Sequence, residues 1–514
     1  MKEKIYASLS AEERGDYQTP LYFVEKVCDY LIEKRNINPN VIIEPTFGVG
    51  NFIEKSILKF KDVHSFYGVE ISKDYFDQAK EKFNKYNKFI KLYNENIFNF
   101  KFEEIKNNIN VKEKVLIIGN PPWITNTELG ICDSENIPKK ENIKKLKGLD
   151  ALTGKSNFDI AEYIILKLIE NFQEYDCTVV MLCKNIVIKN LLRDLIKTDL
   201  NINNIEMVPF EAKSIFGVSC DASILIFDIS NIRSDICRVY DIDSKELLKS
   251  FGWYNGVFIS DFNEYKKFLN IDGKCKFEWR QGIKHDCSKI MQLRKNDNYY
   301  INGNKEIVYL EEDYVFPLLK SSDIKDTIIN NARFNVIVTQ KIVKEDTDKI
   351  EFEAPLLWKY LNNNSMYLDK RKSSIYKNSP RFSIFGVGEY SFKPYKVCIS
   401  GFYKEPKFSL AFKVDKKPIM LDDTCYFIGF DKYEDALITT VLLNTDIVNK
   451  FLKSIAFLEA KRPYTKEILM RIDLEKLYNN IDYQEFISIM NSLGIKEVIT
   501  KEDYKNYYDI IVKE

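Results

Sequence analysis

The chain is nearly devoid of histidine: His64 and His285 are the only two in 514 residues. Its ten cysteines are irregularly spaced, and no Cys-x-x-Cys pair occurs. Both shortages argue against a zinc site, and the spacing argues against a disulfide framework. No metal is expected, and free thiols in a reducing cytoplasm fit best. Excess charge is also missing, since Lys+Arg and Asp+Glu both number 76. Overall charge therefore points to neither nucleic acid nor membrane, and any basic surface has to be local. Apolar runs long enough to span a bilayer, about 18 residues, are absent, so no membrane span is expected. The opening stretch MKEKIYASLSAEERGDYQTP lacks the apolar centre of a secretory signal, which again suggests the cytoplasm. Internal repeats and low-complexity tracts are absent too.

What is present is a large apolar content, 45%, with 14% aromatic residues. That is enough for more than one core. From residue 20 to about 230, short apolar strands alternate with amphipathic helices. Thr19-Pro20 reads as an N-cap followed by proline in the first helical turn. NVIIEP and SFYGVEIS read as strands ending in an acid, and VLIIGNPP as a strand ending in an amide. NFDIAEYIILKLIENF puts Ile160, Ile164 and Leu168 on one helical face. CTVVMLC and ASILIFDI read as further strands. Such alternation predicts an α/β fold with a parallel, doubly wound, Rossmann-like sheet. After about 250 the pattern changes to short strands, turns and a helical tail. The expected division is 1–250 and 251–514, the second part mixed α+β. The segment 124–157 lacks apolar periodicity and reads as a long functional loop.

Gly48 and Gly50 of EPTFGVGNF follow a strand and precede a helix, which allows a tight turn with a ligand against the backbone. A G-x-G alone is weak. Glu70 ends the next strand, where an acid can accept both hydroxyls of a ribose. A dinucleotide is one candidate, but position 53 is Ile and the third glycine of its fingerprint is missing. Glu44 would repel a pyrophosphate and suits a cation instead. S-adenosylmethionine is cationic and carries a ribose.

The strand at 115–118 stops at Gly119-Asn120-Pro121-Pro122-Trp123. Ligands of α/β sheets sit beyond the carboxyl ends of the strands. There the Asn120 side-chain oxygen can accept from an exocyclic amine. The Pro121 carbonyl offers a second acceptor, Pro122 adds stiffness, and Trp123 offers a flat face for stacking. Two acceptors on one NH₂ would draw its lone pair toward tetrahedral geometry and aim it at a methyl donor.

In motif order the sequence resembles the gamma-class adenine-N6 DNA methyltransferases of bacterial restriction–modification systems. GDYQTP resembles their N-terminal motif, EPTFGVGNF the glycine-rich motif, and GVEIS the acidic ribose motif. NENIFNF resembles the adenine-reading motif, GNPPW the Asn-Pro-Pro-aromatic signature, and SIFGVSCDASILIF a late motif whose phenylalanine stacks on the target base. The similarity is specific over roughly 15–230 and weaker beyond, where KRPYTKEILMRI resembles the family's C-terminal end. It implies that Thr19, Glu44, Thr46, Gly48, Gly50 and Glu70 hold S-adenosylmethionine. Asn96 and Ile97 would meet its adenine. Asn120 and Pro121 would hold the target amine, and Trp123 and Phe216 would sandwich the base. The sequence departs from the family in having Trp123 where Tyr or Phe is commoner, and Asn96 where Asp is usual.

An adenine must leave the duplex to reach such a site, at a cost of a few kcal/mol. Contacts of Lys and Arg to phosphates would supply much of the binding to double-stranded DNA. Residues 366–408 carry nine Lys/Arg against three Asp/Glu, with ten aromatics interleaved. Lys370, Arg371, Lys372, Lys377 and Arg381 form the tightest cluster, and Arg280 and Lys284 a second. Residues 251–514 are thus expected to form a DNA target-recognition domain. A cognate restriction endonuclease is compatible with this resemblance. Rival substrates are cytosine N4, RNA guanine N2 and protein glutamine. A noncatalytic DNA-binding subunit is a further alternative. Cytosine-C5 methylation needs a Pro-Cys turn, which the chain lacks.

Overall fold

The computed structural model describes residues 17–86, 88–124 and 159–512. The expected functional loop therefore lies, apart from Ile124, outside the described residues, as does most of the N-terminal stretch. The chain parts into two compact units, one ending at Phe262 and the other starting at Asn263.

In the first unit the elements are α1 (Leu21–Arg35), β1 (Val41–Glu44), α2 (Asn51–Lys59), β2 (Ser65–Glu70), α3 (Lys73–Lys82) and β3 (Ile90–Asn94). They continue with α4 (Glu103–Lys106), β4 (Lys114–Gly119), α5 (Ile160–Asn171), β5 (Asp176–Lys184) and α6 (Asn185–Leu195). β6 (Ile202–Glu211), α7 (Ala212–Phe216), β7 (Asp221–Ile229), β8 (Ile236–Tyr240), β9 (Leu247–Tyr254) and β10 (Val257–Ile259) complete it. All four residues of β1 are buried, as are five of six in β4. That continuous apolar character is what a strand covered on both faces requires.

The sheet order is β10-β9-β8-β6-β7-β5-β4-β1-β2-β3. β3, β2, β1, β4 and β5 are mutually parallel. The winding reverses between β1 and β4, so their carboxyl ends face the crevice where α/β folds bind ligands. One expectation fails here: β7 runs antiparallel between β5 and β6. The reason is chain length. Only nine residues, 212–220, join β6 to β7, whereas a parallel crossover needs a dozen or more. The boundary also shifts past 250, because β9 crosses that point and pairs with β8 and β10.

The helix entry differs as well. Pro20, not Thr19, is the residue before α1 (φ −62°, ψ 142°), and no side chain caps that end. Helix α5 instead has a side-chain cap, with Asp159 accepting from the Ala161 N–H at 3.1 Å.

The second unit contains two sheets. In the five-stranded one, Cys425–Phe430 and Phe408–Ala411 flank Tyr395–Ser400, all antiparallel. In the six-stranded one, Gln292–Asn296 pairs with Tyr299–Asn302 and with Phe334–Ile337. The helical tail forms Tyr433–Leu443 and Asp446–Ile455. Among the described residues no helix is long and apolar enough to cross a membrane.

Candidate active site

The glycine-rich turn joins β1 to α2. Gly48 (φ +54°) and Gly50 (φ +78°) both adopt the left-handed region, and Gly50 immediately precedes the helix. A Cβ at Gly48 would come within 2.4 Å of the Gln18 side-chain oxygen, and one at Gly50 within 2.6 Å of the Phe83 ring. Conformation favours glycine at both positions, and at Gly50 the Phe83 ring also leaves no room for a Cβ. The Gln18 amide oxygen accepts from the Val49 N–H at 3.1 Å, fastening the segment before α1 across the turn.

Two carboxylates flank the turn. Glu70 accepts from the Gly48 N–H at 2.9 Å and the Ser72 N–H at 2.7 Å. Glu44 is 2% exposed and accepts from the Ile53 N–H at 3.1 Å. Burial pushes its pKa well above the ordinary carboxylate value, and nearby Glu70 adds to the rise. A carboxyl in that condition gains most from a cation, which would restore its ionised form.

A cavity opens beside these groups. Thr19, Glu44, Thr46, Gly48, Glu70, Asn96, Ile97, Asn120 and Pro122 line it together, so nine sequence-predicted residues from widely separated parts of the chain meet in one place. Gly50, Pro121, Trp123 and Phe216 lie outside the lining. Tyr17, Gln18, Tyr75, Phe98, Ile160 and Ile164 line it as well, although the sequence did not mark them individually as site residues. The Thr19 hydroxyl is buried and has no hydrogen-bond partner among the described residues. Asn96 accepts from the Phe98 N–H at 3.0 Å, closing the turn after β3.

Asn120 stands just past β4. Its Nδ2 donates to the Tyr17 carbonyl at 2.8 Å, which fixes the amide plane. Its Oδ1 is buried and finds no partner among the described residues. A buried acceptor left unpaired costs about 1–3 kcal/mol, so this arrangement asks for a donor. The Asn120 carbonyl accepts from the Thr46 hydroxyl at 3.4 Å, tying the strand end to the glycine-rich segment.

Trp123 departs from the expectation of an open stacking face. It is 6% exposed, belongs to the core, and donates its indole N–H to the Leu182 carbonyl at 3.1 Å. Phe216 meets it edge-on, centroids 5.2 Å apart and planes at 73°. A base between two rings needs two contacts of about 3.5 Å, roughly 7 Å in all. The sandwich is therefore closed in this arrangement, and Tyr17 packs near both rings at 5.8 and 6.1 Å. Phe216 is followed by Gly217 at φ +75°, with open space around it.

The expected phosphate contacts divide in two. Arg371 is a structural clamp rather than a surface cation. Its guanidinium donates to the carbonyls of Leu368 (2.8 Å), Ser383 (2.7 Å), Arg381 (3.0 Å) and His285 (3.4 Å). Arg381 pairs with Asp369 at 2.9 Å, Arg280 with Glu278, and Lys284 with Asp286 at 3.6 Å. Their neutralised charges weaken the case for phosphate contact. Lys370, Lys372 and Lys377 are exposed and keep that case.

The chain is 40% identical over 470 residues to the type II methyltransferase M.NspV of Nostoc, covering 90% of this chain and 97% of that protein. The chain belongs to the type II methyltransferases. No family model matches it. Among solved structures, the type IIL restriction-modification enzyme MmeI in complex with DNA superposes with a TM-score of 0.49 at 12% identity, over 99% of this chain and 77% of MmeI. The type I methyltransferase subunit of Streptococcus thermophilus gives 0.31 at 12% identity, over 49% of this chain and 52% of the other. The parallel β3-β2-β1-β4-β5 order is the Rossmann-like methyltransferase sheet expected from the sequence, here in a type II methyltransferase, and the antiparallel β7 is the departure from it.

Proposed function

We propose that this type II methyltransferase transfers the methyl of S-adenosylmethionine to the N6 amino group of an adenine extruded from double-stranded DNA. The observation that carries the reading is the buried Asn120 Oδ1 without a partner among the described residues, held at the carboxyl end of β4 in the cavity that also contains Glu44 and Glu70. The buried carboxyl of Glu44 fits a cationic donor, and the Thr19 hydroxyl is placed to accept or donate within the same cavity. Glu70 would hold the ribose, and Asn96 with Ile97 the adenine. When bound, the cofactor supplies an electrophilic methyl on a sulfonium.

The chain's own residues then have distinct tasks. Asn120 Oδ1 and the Pro121 carbonyl accept the two N–H bonds of the target amine, which turns its lone pair out of conjugation. Pro121 and Pro122 limit backbone motion beneath that grip. Trp123 and Phe216 would contact the base only once Phe216 moves off its edge-on contact with the indole. No strong base is required, since the cationic product amine releases its proton readily. The second unit would bind the duplex, with Lys370, Lys372 and Lys377 reaching phosphates; a cognate endonuclease would share its recognition sequence.

The test is transfer of label from methyl-tritiated S-adenosylmethionine to DNA, followed by nucleoside analysis. Label in N6-methyladenine supports the reading. Label in N4-methylcytosine, in RNA or in protein alone rejects it, as does failure to label any substrate.

A further inference from the structure

The turn after β3, residues 96–100, brings Asn96, Ile97 and Phe98 to the cavity wall. Behind it, the Lys167 ammonium donates to three carbonyls of the same turn: Ile97 at 2.8 Å, Phe98 at 2.7 Å and Phe100 at 3.1 Å. Lys167 is half-buried in the middle of α5, the helix whose Ile160 and Ile164 line the cavity. The Phe98 ring packs edge-on to Tyr163 of that helix, at 5.3 Å and 87°.

We infer that Lys167 is a positioning residue for the purine end of the cofactor. The inference rests on the reading that this cavity holds S-adenosylmethionine. An ammonium has three N–H donors, and here three backbone carbonyls of one five-residue stretch lie within hydrogen-bond distance of it. Carbonyls converging on a cation fix their peptide planes, and charge-assisted bonds are about twice as strong as neutral ones. On the opposite edge of those planes the Phe98 N–H donates to Asn96 Oδ1 at 3.0 Å and the Asn99 N–H to the Asn96 carbonyl at 2.9 Å. Holding the planes therefore holds Asn96, which lines the cavity. Asn96 carries no charge, so purine recognition depends on how well the turn is held rather than on a carboxylate. Lys167 touches no ligand itself and acts through the turn.

The experiment measures binding, not turnover. Wild type and Lys167→Met are titrated calorimetrically with S-adenosylhomocysteine and with S-inosylhomocysteine, which differ only at the purine edge. A positioning role predicts about tenfold weaker binding of the adenosyl compound by the variant, with the inosyl compound changed less than threefold, so that purine selectivity falls. Equal weakening of both compounds, or unchanged selectivity, overturns the inference and leaves Lys167 a packing residue. If Lys167→Met does not fold, Lys167→Arg is read the same way, because its planar fork cannot meet three carbonyls in that arrangement. Wild-type protein that binds neither compound would instead refute the underlying cofactor reading.

Discussion

Replacing Asn120 by alanine separates a chemical role from a structural one. In the folded chain the amide makes one hydrogen bond, from Nδ2 to the Tyr17 carbonyl, and leaves Oδ1 buried without a partner among the described residues. The bond contributes about 0.5–1.5 kcal/mol, and the unpaired acceptor costs about 1–3 kcal/mol. Removing both should leave stability within about 1 kcal/mol of the original, or slightly higher. For a unit of this size that is a melting shift of about 2–4 °C at most. In the proposed reaction the same oxygen would be a preorganised partner of the transition state, and loss of one such group costs about 10²–10³ in kcat. The assay is paired: thermal melting of the full chain, and single-turnover methyl transfer to DNA. The expected result is a protein at least about 100-fold slower that melts no earlier than wild type and binds S-adenosylhomocysteine about as well. A melting temperature lowered by ten degrees, or a rate within tenfold of wild type, would refute the assigned role.

Four other outcomes follow from the structure. Because burial raises the Glu44 pKa, a cationic ligand that needs its carboxylate must displace a proton. Affinity for S-adenosylmethionine should therefore rise with pH above the ordinary carboxylate range and level off once free Glu44 is ionised. Glu44→Gln should abolish that slope in calorimetric titrations, and an affinity that falls with rising pH contradicts the assignment. In the second unit, Arg371→Ala removes a clamp on four carbonyls and should destabilise by about 2–4 kcal/mol, read as an earlier melt, without altering the salt dependence of DNA binding. Lys370→Ala, Lys372→Ala and Lys377→Ala together should do the opposite, lowering the log–log salt slope by about 0.9 for each phosphate that is no longer neutralised. Finally, His285 is 6% exposed, and burial lowers its pKa to about 4. The unfolded chain, with an ordinary imidazole near 6.5, then binds more protons between about pH 6.5 and 4. Stability should fall through that window by roughly 3 kcal/mol and level off below it. A His285→Gln variant that kept the same acid slope in denaturant titrations would show that another group is responsible.

The sequence made the crevice legible because its signals are local. Gly48 and Gly50 mark a backbone conformation, Glu44 and Glu70 mark strand ends, and Asn120 follows an apolar run that can only be a buried strand. Three things were hidden because they depend on partners distant in the chain. Trp123 beside two prolines reads as exposed, but its indole reaches the Leu182 carbonyl, 59 residues away, and it packs into the core. Arg371 reads as one of a basic cluster, and only the folded backbone of 381–383 and 285 shows where its donors go. Thr19 before Pro20 has the pattern of a helix cap, yet it caps no helix and lines the cavity instead. Lys167 gave no signal at all: one lysine in an apolar helix looks like a solvent-facing residue. Strand β7 was found but its direction was not, since direction depends on the length of a connection whose own helix is only five residues, Ala212–Phe216.

Three successive residues ahead of α1 reach different parts of the crevice. Tyr17 orients the Asn120 amide, Gln18 is fastened to the glycine turn, and the Thr19 carbonyl accepts from the Asn51 side chain at 2.9 Å. Whatever tightens this tripeptide at one end restrains it at the other. Linkage is reciprocal, so whatever factor the proposed methyl donor, by ordering residues 18 and 19, applies to acceptance of the proposed substrate amine is the factor the amine applies to retention of the donor.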